Sequence, residues 1–252
     1  MFETLKNVFR VKEMRRKLLY VIWMILVIRI GSQLPVPGVD SDFFKEWFAK
    51  NTGDAFNFFD AFTGGSFTQM SIFALNITPY ITSSIIMQLL TIAIPALEEL
   101  YRDGEDGRKK INNITRFVTL GLSVLESAGL AIGFGKQGLL SNYGPLIVME
   151  MIVCLTAGSV FVMWLGEQIT DKGVGNGISI ILLCNIVSRM PSDLYNLYQK
   201  FMEGKQISNV IIAGVIIFIV IIGTIILTII LNDAERLSLI HISEPTRRTP
   251  IS

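Results

Sequence analysis

Residues 57–70 read NFFDAFTGGSFTQM, and residues 71–95 continue as SIFALNITPYITSSIIMQLLTIAIP. The second segment has the length and apolar character to cross a bilayer, which takes about 20 residues, but it carries several polar side chains. The first segment is a Phe-rich piece that ends at Gly64-Gly65 and is too short to span. Half-length segments at membrane depth are tolerated only inside protein or beside a cavity. This stretch therefore predicts a site at mid-depth in a membrane protein.

The composition of the whole chain agrees with a membrane protein. Of the 252 residues, 51% are hydrophobic and 17% are charged, whereas a soluble domain is about 25% charged. Apolar runs of roughly membrane length recur along the chain. We therefore expect an all-α polytopic membrane protein with six transmembrane helices and one short half-helix.

Apolar runs and turn residues divide the chain into segments. Residues 1–17 are predicted to form a basic amphipathic helix on the cytoplasmic membrane surface. Residues 40–54 are expected to be an external loop, residues 98–116 a hydrophilic loop and residues 166–177 a tight polar loop. The expected spans are 18–34, 72–95, 117–134, 146–165, 178–190 (a span only if its helix continues through 191–202) and 207–231.

The distribution of Lys and Arg orients these spans. With the N-terminus inside, the inner segments hold the basic residues of 1–17, the group from Arg102 to Arg116, Lys172 and the arginines of the C-terminal tail. The outer segments hold fewer: Lys45, Lys50, Lys136, Arg189, Lys200 and Lys205. The excess of positive charge in the inner segments places the N-terminus in the cytoplasm. Six crossings would return residues 232–252 to the same side.

One face of the second span combines apolar and polar residues. Ile77, Ile81, Ser84 and Gln88 recur at helical spacing. Small polar residues also serve simple close packing between membrane helices, so spacing alone leaves that explanation open. Pro79 favours a functional face, because an interior proline frees a backbone carbonyl that needs another partner.

Enzyme chemistry finds no support in the sequence. An intramembrane serine protease needs a His or Lys base, but His241 is the only histidine and no expected span contains a lysine. The alternating Gly173, Gly175 and Gly177 predict a turn and a helix start rather than a phosphate cradle, since no Lys-Ser/Thr follows them. We expect no catalytic residue, no metal site and no cofactor.

Glu126, Glu150 and Arg29 are charged residues inside expected spans. Glu126 and Glu150 are the residues on which an alternative function rests, a secondary transporter with a broken helix and an intramembrane acid as its coupling group. Arg29 lies near the end of the first span. Its side chain has two options, to snorkel to the interface or to pair inside the bundle.

Six segments together resemble the SecY/Sec61-alpha family, the channel subunits of protein translocases. They are RIGS at 29–32, PVPGVD at 35–40, FTGG at 62–65, SIFALNITPYITSSIIMQLL at 71–90, GEDGRKK at 104–110 and WLGEQITDKGVGNGISI at 164–180. The resemblance covers roughly residues 1–236. Asn76 departs from it, because the family usually has glycine there.

The resemblance implies a fold of two inverted five-span halves. Residues 18–206 would form the complete first half, and residues 207–231 would open the second half. Residues 58–67 would be the plug that closes the external side. Residues 232–252 would be cytoplasmic, and residues 237–252, where the resemblance stops, are expected to be a non-native tail.

The resemblance also assigns site residues. It implies a pore ring that includes Ile77, Ile81, Ile178 and Leu182. It implies plug residues Phe58, Phe59, Phe62, Gly64, Gly65 and Phe67. One wall of the lateral gate would include Thr82, Ile85, Ile86 and Gln88. A cytoplasmic loop facing partners would include Arg102, Arg108, Lys109 and Lys110.

The implied function is that of a protein-conducting channel in the bacterial plasma membrane. Such a channel passes unfolded secretory chains across and releases membrane segments sideways into lipid. Expected partners are the small subunits SecE and SecG, the SecA ATPase or a ribosome, signal peptides and membrane lipid, with no direct contact to nucleic acid. We expect this chain to be a truncated N-terminal portion that does not function alone.

Overall fold

The computed structural model describes residues 11–39, 41–51, 54–140, 143–201 and 214–231. In this part of the chain the regular structure is helical, and two isolated β-bridges join Pro35 to Ser71 and Val39 to Leu140. The helices are α1 Lys12–Gly31, α2 Ser41–Asn51, α3 Asp54–Thr63, α4 Thr78–Ala93, α5 Pro95–Arg102, α6 Glu105–Lys136, α7 Pro145–Lys172, α8 Gly177–Phe201 and α9 Gly214–Leu231. The predicted all-α membrane class is confirmed.

The chain divides into two compact units, residues 1–190 and residues 191–252. The first unit contains α1 to α7 and α8 as far as Met190. The second contains the remainder of α8 and, among its described residues, α9. The apolar side chains of α9 are exposed along its length.

Four helices of the described residues are long and apolar enough to cross a membrane. They are α6, α7, α8 over Gly177–Gln199, and α9. A fifth candidate is the pair α4 and α5, which bend by 101° at the break between them. The expected first span lies in α1, whose basic first turns and Arg29 leave only a short uncharged stretch between them. Composition and length thus support four or five spans rather than all six.

Several helices extend into segments that were predicted to be loops. α2 lies in the expected external loop, α5 and α6 occupy most of residues 98–116, and α7 continues to Lys172. The prediction was wrong there because hydropathy detects contact with lipid, not helix formation. Charged residues stabilise these extensions, as in the Arg102–Glu98 ion pair at 2.6 Å, one helical turn apart. Residues 1–10 of the predicted surface helix lie outside the described residues.

The packing of the spans relies on small and hydroxyl-bearing residues. On α6 the buried face repeats every four residues through Thr115, Thr119, Ser123 and Ser127. Thr119 Oγ1 lies 2.5 Å from Ser83 Oγ of α4. Ser127 Oγ lies 3.1 Å from Thr156 Oγ1 of α7. Side chains of this size let membrane helices approach closely and hydrogen-bond to one another.

Glycines of α7 and α8 bring backbones into direct contact. A Cβ added at Gly158 would lie 2.0 Å from the Ile72 carbonyl oxygen. A Cβ added at Gly177 would lie 2.0 Å from the Gly166 carbonyl oxygen. Neither distance is compatible with a side chain, so these two contacts require glycine and set the position of α7 against its neighbours.

Candidate pore, plug and gate residues

Aliphatic residues at the start of α4 and of α8 meet against α7. An added Cβ at Gly166 of α7 would lie 3.3 Å from Ile181 Cδ1, 3.4 Å from Ile178 Cγ1 and 3.6 Å from Ile77 Cδ1. We call Ile77, Ile178 and Ile181 the aliphatic junction. Ile77 and Ile181 are each 1% exposed. Ile178 is half-buried, so three branched side chains converge on one glycine.

The other two residues assigned to the ring lie at the edge of the same cluster. Ile81 and Leu182 are half-buried and pack against the buried core that contains Ile77 and Ile181. The structure thus brings together all four ring residues expected from the sequence. Ile181 was not among them, although its position in the Ile-rich start of α8 gave a signal.

The start of α8 is fixed by hydrogen bonds from the preceding turn. Asn176 Oδ1 accepts from the backbone N–H groups of Ile178 at 3.0 Å and Ser179 at 3.4 Å. Thr170 Oγ1 of α7 accepts from Gly177 N–H at 2.9 Å. Gly175 adopts φ +75°. The predicted turn and helix start are confirmed, and they hold Ile178 against α7 because side-chain oxygens satisfy the free N–H groups of a helix end.

The half-helix of the opening stretch is α3, followed by turns as far as Ser71. Gly64 and Gly65 have φ +67° and +87°, a conformation that glycine adopts without steric cost. Phe67 is 2% exposed, with its ring centroid 5.0 Å from that of Phe59 and 5.5 Å from that of Phe48. Phe62 is partly exposed. The side chain of Phe58 lies outside the described residues.

A buried charge pair connects α3 to α8. Asp60 is fully buried and forms an ion pair with Arg189. The same carboxylate accepts from Thr68 N–H at 2.9 Å and from Thr68 Oγ1 at 3.1 Å. Sequence reasoning missed Asp60 altogether and counted Arg189 only among external charges. An acid inside an otherwise apolar and Phe-rich half-helix was the available signal.

A second arginine reaches the same segment from α1. Arg29 Nη2 donates to Asn185 Oδ1 at 2.6 Å and to the Cys184 carbonyl oxygen at 3.1 Å. Its Nη1 donates to the Gly64 carbonyl oxygen at 3.4 Å. Of the two options left open by the sequence, Arg29 takes the internal one and pairs inside the bundle.

Asn76 occupies a position with left-handed backbone. Its φ is +50° and its side chain is 2% exposed. Asparagine and glycine are the residues that adopt this conformation most readily, which explains why either can stand here. Asn76 Nδ2 donates to the Thr63 carbonyl oxygen at 3.5 Å, whereas its Oδ1 has no partner among the described residues.

The residues assigned to the gate wall lie on the open side of α4. Thr82, Ile85 and Gln88 are exposed, and Ile86 is half-buried. The opposite side of α4 contains Ser83, which is buried and bonded to α6. The structure thus leaves this wall without a covering helix in the described part of the chain.

The basic residues of the expected partner-facing loop are at the junction of α5 and α6. Arg102, Arg108, Lys109 and Lys110 are all exposed. The Arg108 guanidinium lies 5.3 Å from the Tyr101 ring centroid, and Lys109 Nζ lies 3.8 Å from Asp106 Oδ1. The corner is therefore a helical surface with exposed charges of both signs rather than an irregular loop.

The acids on which a transporter would depend are not enclosed. Glu126 of α6 is half-buried, and Glu150 of α7 is exposed. Within the described ranges, no group of three His, Cys, Asp or Glu side chains lies close enough to hold a metal ion. The acid that is enclosed, Asp60, is neutralised by Arg189 and lies in the half-helix.

Comparisons with known proteins point to one family. The family model SecY matches residues 71–249. The "Protein translocase subunit SecY" of Buchnera aphidicola subsp. Acyrthosiphon kondoi is 40% identical over 234 residues, which cover 89% of this chain and 66% of that protein. The protein of the same name from Escherichia coli strain K12 is 43% identical over 196 residues, covering 76% of this chain and 44% of the relative.

Solved structures agree at the level of fold. The structures titled "Sec61 in the Canine ribosome-channel complex from the endoplasmic reticulum" and "The structure of a protein conducting channel" each align with TM-score 0.52 and 20% identity. Each alignment covers 88% of this chain and 47% of the solved chain.

The matches also show how much of each relative this chain covers and where the family match ends. The chain spans between 44% and 66% of the length of the two relatives described above. The family match continues to residue 249, past Arg236, where we expected the resemblance to stop. The non-native origin of residues 237–252 stays a prediction.

Proposed function

Since this chain belongs to the SecY family, we propose that it supplies the first half of a protein-conducting channel. The complete channel would pass unfolded secretory chains across the bacterial plasma membrane and release membrane segments sideways into lipid. The observation that carries this proposal is the aliphatic junction at Gly166. It brings Ile77, at the start of α4, and residues of α8, about a hundred positions apart in sequence, against one glycine of α7. This proximity supports assigning them to a pore seal.

The chemistry of the junction suits a seal. Branched aliphatic side chains exclude water from a narrow passage and offer a moving polypeptide no polar group to bind. We assign Ile77, Ile81, Ile178 and Leu182 to the ring, with Ile181 packing behind it. The remaining ring members would come from the part of the relatives that this chain does not match.

The span count of the proposal is six, with α1 and the α4–α5 pair added to the four helices that qualify by composition alone. Arg29 is no obstacle to α1 as a span. An arginine inside a membrane helix is tolerated when it faces the bundle and its donors are satisfied, and Arg29 donates to Asn185, Cys184 and Gly64. The N-terminus is then cytoplasmic, as the positive-inside rule requires.

The half-helix and the exposed face of α4 are assigned to the plug and to the lateral gate. We propose that residues 58–67 form the plug and that Thr82, Ile85, Ile86 and Gln88 form one wall of the lateral gate. The exposed basic side chains of Arg102, Arg108, Lys109 and Lys110 would face a cytoplasmic motor, either the SecA ATPase or a ribosome. SecE and SecG would complete the assembly, and signal peptides would enter at the gate.

A hybrid channel tests the proposal. Residues 1–231 replace the corresponding first half of the Escherichia coli relative, and the hybrid is expressed in cells depleted of their own copy. We expect secretion of a periplasmic reporter to resume. The matched control carries Gly166→Leu, whose side chain would enter the aliphatic junction and displace Ile77 and Ile178. A hybrid that inserts in the membrane at normal levels but restores no secretion would refute the proposed function.

A further inference from the structure

Polar contacts, rather than apolar packing alone, hold the plug segment, residues 58–67, in place. Asp60 is paired with Arg189 of α8, and the Gly64 carbonyl oxygen accepts from Arg29 of α1. The Thr63 carbonyl oxygen accepts from Asn76 at the entry to α4. Three separate elements thus contact the segment through charged or amide side chains.

Among these contacts, losing the partner of the Asp60 carboxylate would cost the most free energy. Asp60 has no exposed surface, and a carboxylate buried without an opposite charge is strongly disfavoured. Thr68 supplies two hydrogen bonds from within the same turn, but these carry no net charge. Arg189 supplies the charge, so the position of α3 depends on an arginine 129 positions further along the chain.

Several buried polar atoms in and around the plug segment lack hydrogen-bond partners in the described part of the chain. Five buried side-chain atoms have no hydrogen-bond partner among the described residues, and four of them lie in or next to the plug segment. Ser66 belongs to the segment, and Ser71 donates its backbone N–H to the Ser66 carbonyl oxygen. Asn76 donates to Thr63, and Asn185 accepts from Arg29, which also contacts Gly64. A buried polar atom without a partner costs free energy. These unpaired atoms make the packed position of the segment less stable, which suits a segment that leaves this position and returns to it.

We infer that Asp60 and Arg189 form a charge latch that positions the plug segment against α8. While the pair is intact, the segment stays seated. When the pair is broken, the attraction between α3 and α8 is lost, and an ionised Asp60, which is fully buried, favours departure of the segment into water. This inference rests on the proposed channel function, because only a channel needs an element that closes it, but its test requires no transport.

The test measures access to a thiol in the full 252-residue chain, purified in detergent with Cys154 and Cys184 replaced by serine. Ser66→Cys is the probe. Ser66 is 1% exposed, and its hydroxyl has no hydrogen-bond partner among the described residues. A thiol therefore fits with little disturbance and is protected from N-ethylmaleimide while the segment is seated. Ser159→Cys on α7 is the matched control, because Ser159 is equally buried and its hydroxyl also lacks a partner in the described ranges.

Neutralising either Asp60 or Arg189 should expose the Ser66→Cys probe and leave the Ser159→Cys control buried. We expect Asp60→Asn, which keeps Oδ1 for Thr68, and Arg189→Gln each to raise the modification rate of the probe about tenfold or more. The rate at Ser159→Cys should not change. Unchanged rates at the Ser66→Cys probe would overturn the inference, and so would equal increases at both probes, since the pair would then support the whole fold.

A double-variant cycle and a distant ion pair complete the test. If the two residues act as one pair, Asp60→Asn with Arg189→Gln should react no faster than either single variant. Rates that multiply would overturn the inference, because the residues would then act independently. Arg116→Gln removes the ion pair to Glu167, 2.7 Å long and located between α6 and α7. It should leave the probe protected, and a faster rate would show that the effect is not specific to the latch.

Discussion

At the scale of single residues, backbone requirements decide more of this fold than side-chain chemistry does. Gly158 of α7 is in contact with the backbone at Ile72, and Asn76 accepts a left-handed conformation that few residues tolerate. Ile72 and Asn76 both lie in the turns that lead into α4. The position of Ile77, directly after Asn76, is therefore set by backbone geometry before the apolar packing of its side chain contributes.

A substitution at Gly158 tests the close approach of α7 to the backbone at Ile72. The substitution Gly158→Ala places a methyl group against the Ile72 carbonyl oxygen and should destabilise the chain by about 1–3 kcal/mol, the range for overpacking a core. SDS-induced unfolding in mixed micelles, followed by circular dichroism, measures the change. Gly129→Ala on α6 is the control, because nothing lies within 4 Å of its added Cβ. Equal stabilities for the two variants would contradict the close approach.

At the scale of helices, α6 is the element that joins its neighbours through hydroxyl groups. Its buried stripe bonds to Ser83 of α4 and to Thr156 of α7. The same stripe contributes no charged side chain to the contact. Such contacts are weak individually, about 0.6 kcal/mol on average in membrane proteins. They orient α4 relative to α6 without locking it, which suits a helix assigned to a gate.

The contact between α4 and α6 can be measured by a double-mutant cycle. Ser83→Ala and Thr119→Val, alone and combined, should yield a coupling free energy of about 0.5–1.5 kcal/mol in SDS unfolding. Ser123→Ala combined with Ser83→Ala is the matched control. Ser123 is buried on the same stripe, and its hydroxyl donates to the Leu120 carbonyl of its own helix. Coupling as large in the control as in the test pair would count against a specific contact.

At the scale of the whole molecule, the aliphatic junction is the feature on which closure depends. Replacing Ile77, Ile81, Ile178 and Leu182 by glycine in the hybrid channel should open a path for small ions, because the seal loses the side chains that exclude water. Planar-bilayer conductance without a translocating chain measures the leak. The control replaces four exposed aliphatic residues of α7 and α8 by glycine, namely Leu146, Val153, Leu183 and Val187. A conductance no higher than that of the control would remove the ring assignment.

The sequence predicted the large features of this molecule and missed the local ones. Apolar runs located α6, α7, α8 and α9, because contact with lipid leaves a strong compositional signal. The helical character of α2 and of the start of α6 was missed, because charged residues interrupt both and hydropathy does not detect helix formation. The pair of Asp60 and Arg189 was missed for a different reason. These two residues are far apart in the sequence, and no pattern in a single sequence indicates that they pair.

The bend after α4 has a consequence for the surrounding lipid. α4 contains 16 residues, which at 1.5 Å each make a helix about 24 Å long, and the chain then turns by 101° into α5. The hydrocarbon layer of a bilayer is about 30 Å thick. Leu89 and Ile92 are exposed on this helix, so in the proposed channel lipid beside α4 would meet a wall that is shorter than the hydrocarbon layer. We expect hydrophobic mismatch there, with acyl chains compressed against α4 at a cost that rises with their length.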